Sequence, residues 1–234
     1  MTDTEQAPRQ NVTFASNGDT AHGYLVQPPS GRGPGLIVIQ EWWGLDDSLA
    51  EMVDRFAAAG FVALAPDLYG GRVAHGVDDA STLMQELPVE RAARDLRGAV
   101  DYLLGLPEVT SKTVGVVGFC MGGSFVLLLA AQEGDRVGAA VPFYGVGPAI
   151  PDSYTGLTAP VMGHYAERDQ AYPLAAAVAL EKQIKAESSG TVDFHYYPAG
   201  HAFMNPKDRL GTYDPELAKV AWDRTIEFLR ANVN

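Results

Sequence analysis

The chain has 234 residues, 47% of them hydrophobic and 20% charged, and a formal net charge of −12, with an isoelectric point near 4.7. That composition belongs to a globular chain rather than a disordered one. It argues against nucleic acid or an anionic membrane as the main partner, because no Lys/Arg run offsets the acidity. One cysteine excludes an intramolecular disulfide and any zinc site built on several thiolates.

Met1–Gln10 is polar and carries no secretory pattern, and no apolar stretch approaches the roughly 20 residues of a membrane span. The expectation is a cytoplasmic protein, monomeric or a small homo-oligomer, with one domain over 1–234 and a flexible tail over 1–9. Asn11–Ala15 and Ala21–Gln27 alternate around Ser-Asn-Gly-Asp and read as a hairpin. Gly35–Ile39 is a continuous apolar run, the mark of a strand buried on both faces. Ser48-Leu-Ala-Glu51 has the form of a capping box opening a helix that ends near Gly60. Phe61–Ala65 is the next strand. Pro66–Pro88 is the least regular stretch, and Val89–Leu104 carries a helical stripe. Thr113–Gly118 predicts a strand, Met121–Gln132 an almost wholly apolar helix and Val137–Phe143 a strand. Strands over Pro160–Tyr165 and Thr191–Tyr197 then alternate with helices over Pro173–Ala186 and Pro215–Arg230. Such alternation predicts an α/β fold, a mostly parallel sheet with helices on both faces and an antiparallel N-terminal hairpin. Chemistry in such a sheet belongs at the carboxyl ends of its strands.

Four strand ends carry reactive residue types. Gly118-Phe-Cys120-Met-Gly122-Gly123 matches the Gly-x-nucleophile-x-Gly elbow, with cysteine where serine is usual. A sharp strand-to-helix turn would hold Cys120 at a helix N-terminus, where the partial positive charge favours a thiolate. The alternative is an ordinary buried cysteine. Asp169 and His201 follow later strands, giving the nucleophile–acid–histidine order of the α/β-hydrolase fold. Histidine would act as base, with the carboxylate fixing its tautomer. Glu167 competes with Asp169 for that place, and Asp169 could be only a loop or cap residue. His201 could be a turn residue bonded to backbone. His164 reads as structural, and no histidine pair has metal-ligand spacing, so no metal and no cofactor is expected. Glu41, directly after the first apolar strand, is either a carboxylate facing the elbow or a surface residue.

Taken together, Gln-Glu-Trp-Trp-Gly at 40–44, Ala-Pro-Asp-Leu-Tyr at 65–69, Gly-Phe-Cys-Met-Gly-Gly at 118–123, Phe-Tyr-Gly-Val-Gly at 143–147, Glu-Arg-Asp at 167–169 and Gly-His-Ala-Phe at 200–203 resemble the dienelactone hydrolase (carboxymethylenebutenolidase) family. The resemblance runs from about Val12 to Leu229. It implies an α/β-hydrolase fold and cysteine-dependent hydrolysis of an ester or lactone. Cys120 would be the nucleophile, with Asp169 and His201 as its partners and Glu41 activating the thiol. Backbone N–H groups of Trp42 and Met121 would form the oxyanion hole. An ordinary thiol, with a pKa of about 8.5, is only a few per cent thiolate at pH 7, which is why activation matters.

One departure bears on substrate. The family's archetypes hold an anionic lactone with two arginines, and the position four residues after the histidine is here Asn205. Val73–Pro88 contains no arginine or lysine, although Arg72 and Arg91 flank it. Asparagine is no equivalent of a bidentate arginine. The expectation is a neutral or weakly polar small-molecule ester or lactone, in a pocket lined by Trp42, Trp43, Tyr144, Phe203 and Asn205; any of the aromatics could instead be core. Two rival readings stand: a PfpI-like cysteine-elbow enzyme with glyoxalase or redox chemistry, and a hydrolase-fold protein that only binds.

Overall fold

The computed structural model describes residues 9–147 and 149–234. The tail expected over 1–9 lies, except for Arg9, outside the described residues. Arg9 itself is ion-paired to Asp47 at 2.8 Å.

The chain opens with the hairpin β1 (Val12–Ser16) and β2 (Asp19–Val26). Its two turn residues, Asn17 and Gly18, have φ of 46° and 98°, the left-handed pair that a tight two-residue hairpin requires. β3 (Gly33–Ile39) follows. Leu36 to Ile39 are all fully buried, and the two-residue period divides them. Ile37 and Ile39 enter one apolar core, while Leu36 and Val38 enter the other.

α1 (Asp47–Ala58) starts one residue before the expected Ser48. Its cap is Asp46, whose carboxylate accepts the Leu49 N–H at 3.0 Å. The Ser48 hydroxyl donates to Asp46 as well. An aspartate two residues upstream thus takes the capping place that the Ser48…Glu51 spacing suggested. β4 (Val62–Pro66) is fully buried. The stretch expected to be irregular contains α2 (Val77–Glu86), which buries only Ala80 and Leu83; two inward residues make too narrow a stripe for periodicity to reveal. α3 (Val89–Gly105) packs Leu96, Val100 and Leu103 inward.

β5 (Val109–Phe119) is longer than expected, because its first half is partly exposed and the residues from Thr110 to Thr113 are polar. α4 (Met121–Glu133) is buried without a break from Met121 to Ala130, as an apolar helix between a sheet and α3 must be. Then come β6 (Val137–Phe143), β7 (Val161–Ala166), α5 (Leu174–Glu187), β8 (Val192–Tyr197) and α6 (Pro215–Asn232). Asp214 caps α6 by accepting from Glu216 and Leu217 N–H, with Pro215 at the first turn.

The sheet order is β1-β2-β4-β3-β5-β6-β7-β8. β1 and β2 run antiparallel, and β4 through β8 are parallel throughout. This is the α/β-hydrolase arrangement expected from the sequence. Among the described residues, no helix is long and apolar enough to cross a membrane.

A directed hydrogen-bond chain ties the last strands to α6. Arg224 donates to the Tyr197 hydroxyl at 3.0 Å, and that hydroxyl lies 2.8 Å from Nδ1 of the fully buried His164. His164 Nε2 lies 3.1 Å from the Thr225 hydroxyl, which donates to Ala221 O at 2.8 Å. Only one arrangement satisfies all four groups: Tyr197 donates to Nδ1, and Nε2–H donates to Thr225. Burial, aided by His195 and Arg224, holds the His164 imidazole well below its ordinary pKa and hence neutral.

Candidate active site

The loops after β3, β5, β6, β7 and β8 meet at one end of the sheet. β5 delivers Cys120 at the N-terminus of α4, with φ 53° and ψ −119°. A non-glycine residue in that region is strained and persists only where its surroundings hold it. Here Cys120 N–H donates to Phe143 O at 3.0 Å, and Gly123 N–H to Cys120 O at 2.9 Å. Close approach of α4 to β3 does the rest. A Cβ on Gly122 would sit 2.5 Å from Gln40 O and 2.6 Å from Ile39 O. Both are backbone atoms that cannot swing aside, so Gly122→Ala should destabilise the fold by at least about 3 kcal/mol, the upper end for overpacking. Urea unfolding would read this as a lowered midpoint; an unchanged midpoint would mean that α4 can shift freely.

Cys120 Sγ lies 3.1 Å from His201 Nε2. His201 Nδ1 lies 2.7 Å from Asp169 Oδ2. The other Asp169 oxygen accepts the N–H groups of Ala171 and Tyr172, each at 2.8 Å, so the carboxylate is fixed before histidine reaches it. Glu167, its rival in the sequence, is exposed. Thr212 donates to His201 O and steadies the loop from behind. Burial by itself lowers the His201 pKa, but the hydrogen bonds and charges of Asp169 and Cys120 outweigh it and push the imidazole up to about 10.

Glu41 is 8% exposed. It makes no hydrogen bond to the Cys120 sulfur. Its Oε1 accepts the Tyr144 hydroxyl at 3.2 Å, and its Oε2 accepts the Asn205 amide at 2.7 Å. Burial raises its pKa, against the lowering by the Asn205 hydrogen bond and the His201 charge. Both hydrogen-bonding partners are neutral, and the nearby His201 charge offsets only part of the lost hydration.

Of the expected pocket residues, Trp43, Tyr144 and Asn205 line one cavity together with Glu41, although neither Cys120 nor His201 does, and Trp42 and Phe203 lie outside it. Phe203 is fully buried between the rings of Tyr144 and Tyr197. Tyr144 is also buried and stands edge-on to His201, 5.1 Å between centroids. Trp43 is covered by Arg209, whose guanidinium carbon is 4.6 Å from the ring centre. Trp42 is half-buried, edge-on to Trp43. Register pairs Ile39 with Gly118, which sets the turn bearing Trp42 beside the elbow. Met121 is the first residue of α4, so its N–H has no acceptor within the helix.

The candidate replacement arginines are engaged elsewhere. Arg72 pairs with Glu86 at 2.8 Å, and Arg91 donates to Leu68 O at 2.7 Å. Two tyrosines absent from the sequence reading of the site lie close enough to Cys120 to feel its charge. Tyr69 and Tyr172 are both raised first by burial and then by Cys120, Tyr172 to about 12. Tyr69 donates to Met121 Sδ at 3.6 Å, and Tyr172 to Gly147 O at 3.3 Å. Tyr69 closes the 65–69 motif and Tyr172 stands three residues after Asp169, so strand-end position was the available signal.

Comparison with known proteins places the chain in a family. The family model "Dienelactone hydrolase family" matches residues 21–233. Protein usf of Aquifex pyrophilus is 36% identical, covering 94% of this chain and 97% of that one. A candidate carboxymethylenebutenolidase of Aquifex aeolicus is 32% identical with the same coverage. The crystal structure of a candidate dienelactone hydrolase from Klebsiella pneumoniae superposes with a TM-score of 0.81 at 26% identity, covering 96% of this chain and 99% of that one. The chain belongs to the dienelactone hydrolase family and is, with it, an ester or lactone hydrolase.

Proposed function

We propose that the chain is a cysteine hydrolase of neutral or weakly polar esters or lactones, with Cys120 as nucleophile, His201 as acid and base, and Asp169 as the group that orients His201. The observation that carries this reading is the unbroken line Asp169–His201–Cys120, at 2.7 and 3.1 Å, on a strained elbow. An imidazolium beside the sulfur favours the thiolate. The sulfur attacks the carbonyl carbon, and the developing oxyanion is met by the N–H groups of Met121 and Trp42. His201 gives its proton to the departing alkoxide, then takes one from the water that attacks the thioester. Collapse releases the acid and restores the thiolate–imidazolium pair. Glu41, buried beside His201, exchanges protons with the reacting groups.

Substrate charge follows from the surroundings. Asn205 is occupied by Glu41, Arg72 and Arg91 by other partners, and the chain is strongly acidic. A carboxylate on the acyl part would enter beside Glu41 with neither Arg72 nor Arg91 free to receive it, and the His201 imidazolium is already shared with the sulfur and Asp169. Neutral p-nitrophenyl esters should therefore show kcat/KM at least about tenfold above matched esters bearing an acyl carboxylate, a difference of about 1.4 kcal/mol. Mass spectrometry of the quenched reaction should find the acyl group on the Cys120 peptide. An anionic lactone turned over faster than every neutral ester would overturn the substrate assignment, and an acyl group on another residue would overturn the nucleophile.

A further inference from the structure

Between α1 and the 204–206 turn, behind Glu41, lies a cavity of about 30 Å³. Neither Cys120 nor His201 lines it. Glu41, Asp46, Ser48, Asn205 and the hydroxyl-bearing Tyr144 do, and Met52 and Phe119 stand among its apolar walls. One water needs roughly 10–15 Å³ measured in this way and two to four polar partners, so the space suits about two waters. The polar lining is not self-sufficient. A carboxylate offers about four acceptor sites, and Glu41 has two filled. The Ser48 proton goes to Asp46, leaving its oxygen to accept. Asp46 in turn pairs with Arg209 at 2.9 Å, and the Arg209 side chain is 33% exposed. A polar line thus runs from Glu41 across the cavity to Ser48, Asp46 and the surface.

We propose that this cavity holds water and that Ser48 and Asp46 form with it a rear route by which protons leave Glu41 for solvent. The proposal rests on the cysteine-hydrolase reading above. Hydrolysis of an ester at neutral pH turns ester and water into alcohol, carboxylate and one proton. Attack of water on the thioester moves one water proton to His201, and collapse of the adduct breaks the C–S bond. What forms is a carboxylic acid beside a restored thiolate and imidazolium. The excess proton is therefore on the product acid. It passes to the Glu41 carboxylate, and the product departs as an anion. Glu41 must then lose that proton before the next cycle, and the cavity supplies an exit that passes neither Cys120 nor His201. Ser48 is a positioning residue here: it orients the water and touches no reacting atom.

Two measurements test this. In a crystal structure of the native enzyme at about 1.5 Å resolution or better, an ordered water should lie within hydrogen-bond distance of both Glu41 and Ser48. A dry cavity, especially one that takes up xenon, would overturn the proposal. In stopped-flow hydrolysis of p-nitrophenyl acetate, Ser48→Ala and the cavity-filling Met52→Phe should leave the initial burst of p-nitrophenol intact. Both should lower steady-state turnover by roughly tenfold, less than the loss of a direct acid–base group. Added imidazole buffer should restore turnover in both, which a merely structural defect would not allow. Turnover equal to wild type in both variants, or loss that buffer does not rescue, would overturn the route. Absence of a burst in the wild type would instead overturn the acyl-cysteine reading beneath it.

Discussion

Cys120→Ala should reduce hydrolysis of p-nitrophenyl acetate by on the order of 10⁴- to 10⁶-fold, the scale seen when a nucleophile acting as part of a coupled unit is removed. Melting temperature should hardly move. Cys120 is 8% exposed and already left-handed, and alanine bears the same backbone strain while losing one sulfur atom. The His201–Asp169 bond at 2.7 Å does not depend on the thiol and should persist. Side-by-side kinetics and circular dichroism melts on the two proteins read both quantities. A variant keeping more than half the activity would show that some other group attacks the ester.

Glu41→Gln should lower kcat by about 10²- to 10⁴-fold, the range for an acid–base group, and should leave the fold as stable or more so at neutral pH. Burial raises the Glu41 pKa above its ordinary value, so the unfolded chain holds the ionised carboxylate more easily than the folded one. Wild-type stability is therefore lost as pH rises from the ordinary carboxylate value through the raised one, and the variant escapes that loss. The amide keeps an acceptor for Tyr144. Its NH₂ would face Asn205, whose amide can turn over at the expense of the bond from Lys207 N–H. Melting curves from pH 4 to 8 and activity per folded molecule give the comparison. A collapsed melting point with normal activity per folded molecule would mark Glu41 as structural.

Local signals made most of this molecule legible in the sequence. Asn17-Gly18 defines a hairpin by turn chemistry alone, Leu36–Ile39 defines a two-faced strand by composition, and the glycines around Cys120 define an elbow because only glycine fits there. The order Cys120, Asp169, His201 then needed only the rule that chemistry gathers at strand ends. What the sequence concealed depends on distant partners or weak stripes. Asn205 read as a pocket residue, but its amide holds Glu41 across 164 positions. Tyr69 and Tyr172 approach the sulfur because β4 and β7 end where β5 ends, a relation of sheet order and not of spacing. α2 hid because Ala80 and Leu83 are its only buried residues. Ser48 looked like a cap because its spacing to Glu51 fits the pattern, while the helix starts earlier and Asp46 caps it through the Leu49 N–H.

The chain from Arg224 to Ala221 O has a single polarity, and that makes His164 one source of acid sensitivity in the fold. A second proton would place a donor at Nδ1 against a hydroxyl whose own hydrogen already points there and whose oxygen is claimed by Arg224. To receive it, the Tyr197 hydroxyl would have to turn its own hydrogen away from Nδ1 and leave it without that acceptor. Because the folded pKa is depressed, the unfolded chain takes up this proton first, once pH falls below about 6.5. Acid therefore loosens α6 from β7 and β8 through a residue that touches no substrate. The acid sensitivity that His164 lends the fold is thus separate from the protonation of His201, which is held up to about 10 by its own partners, Asp169 and Cys120.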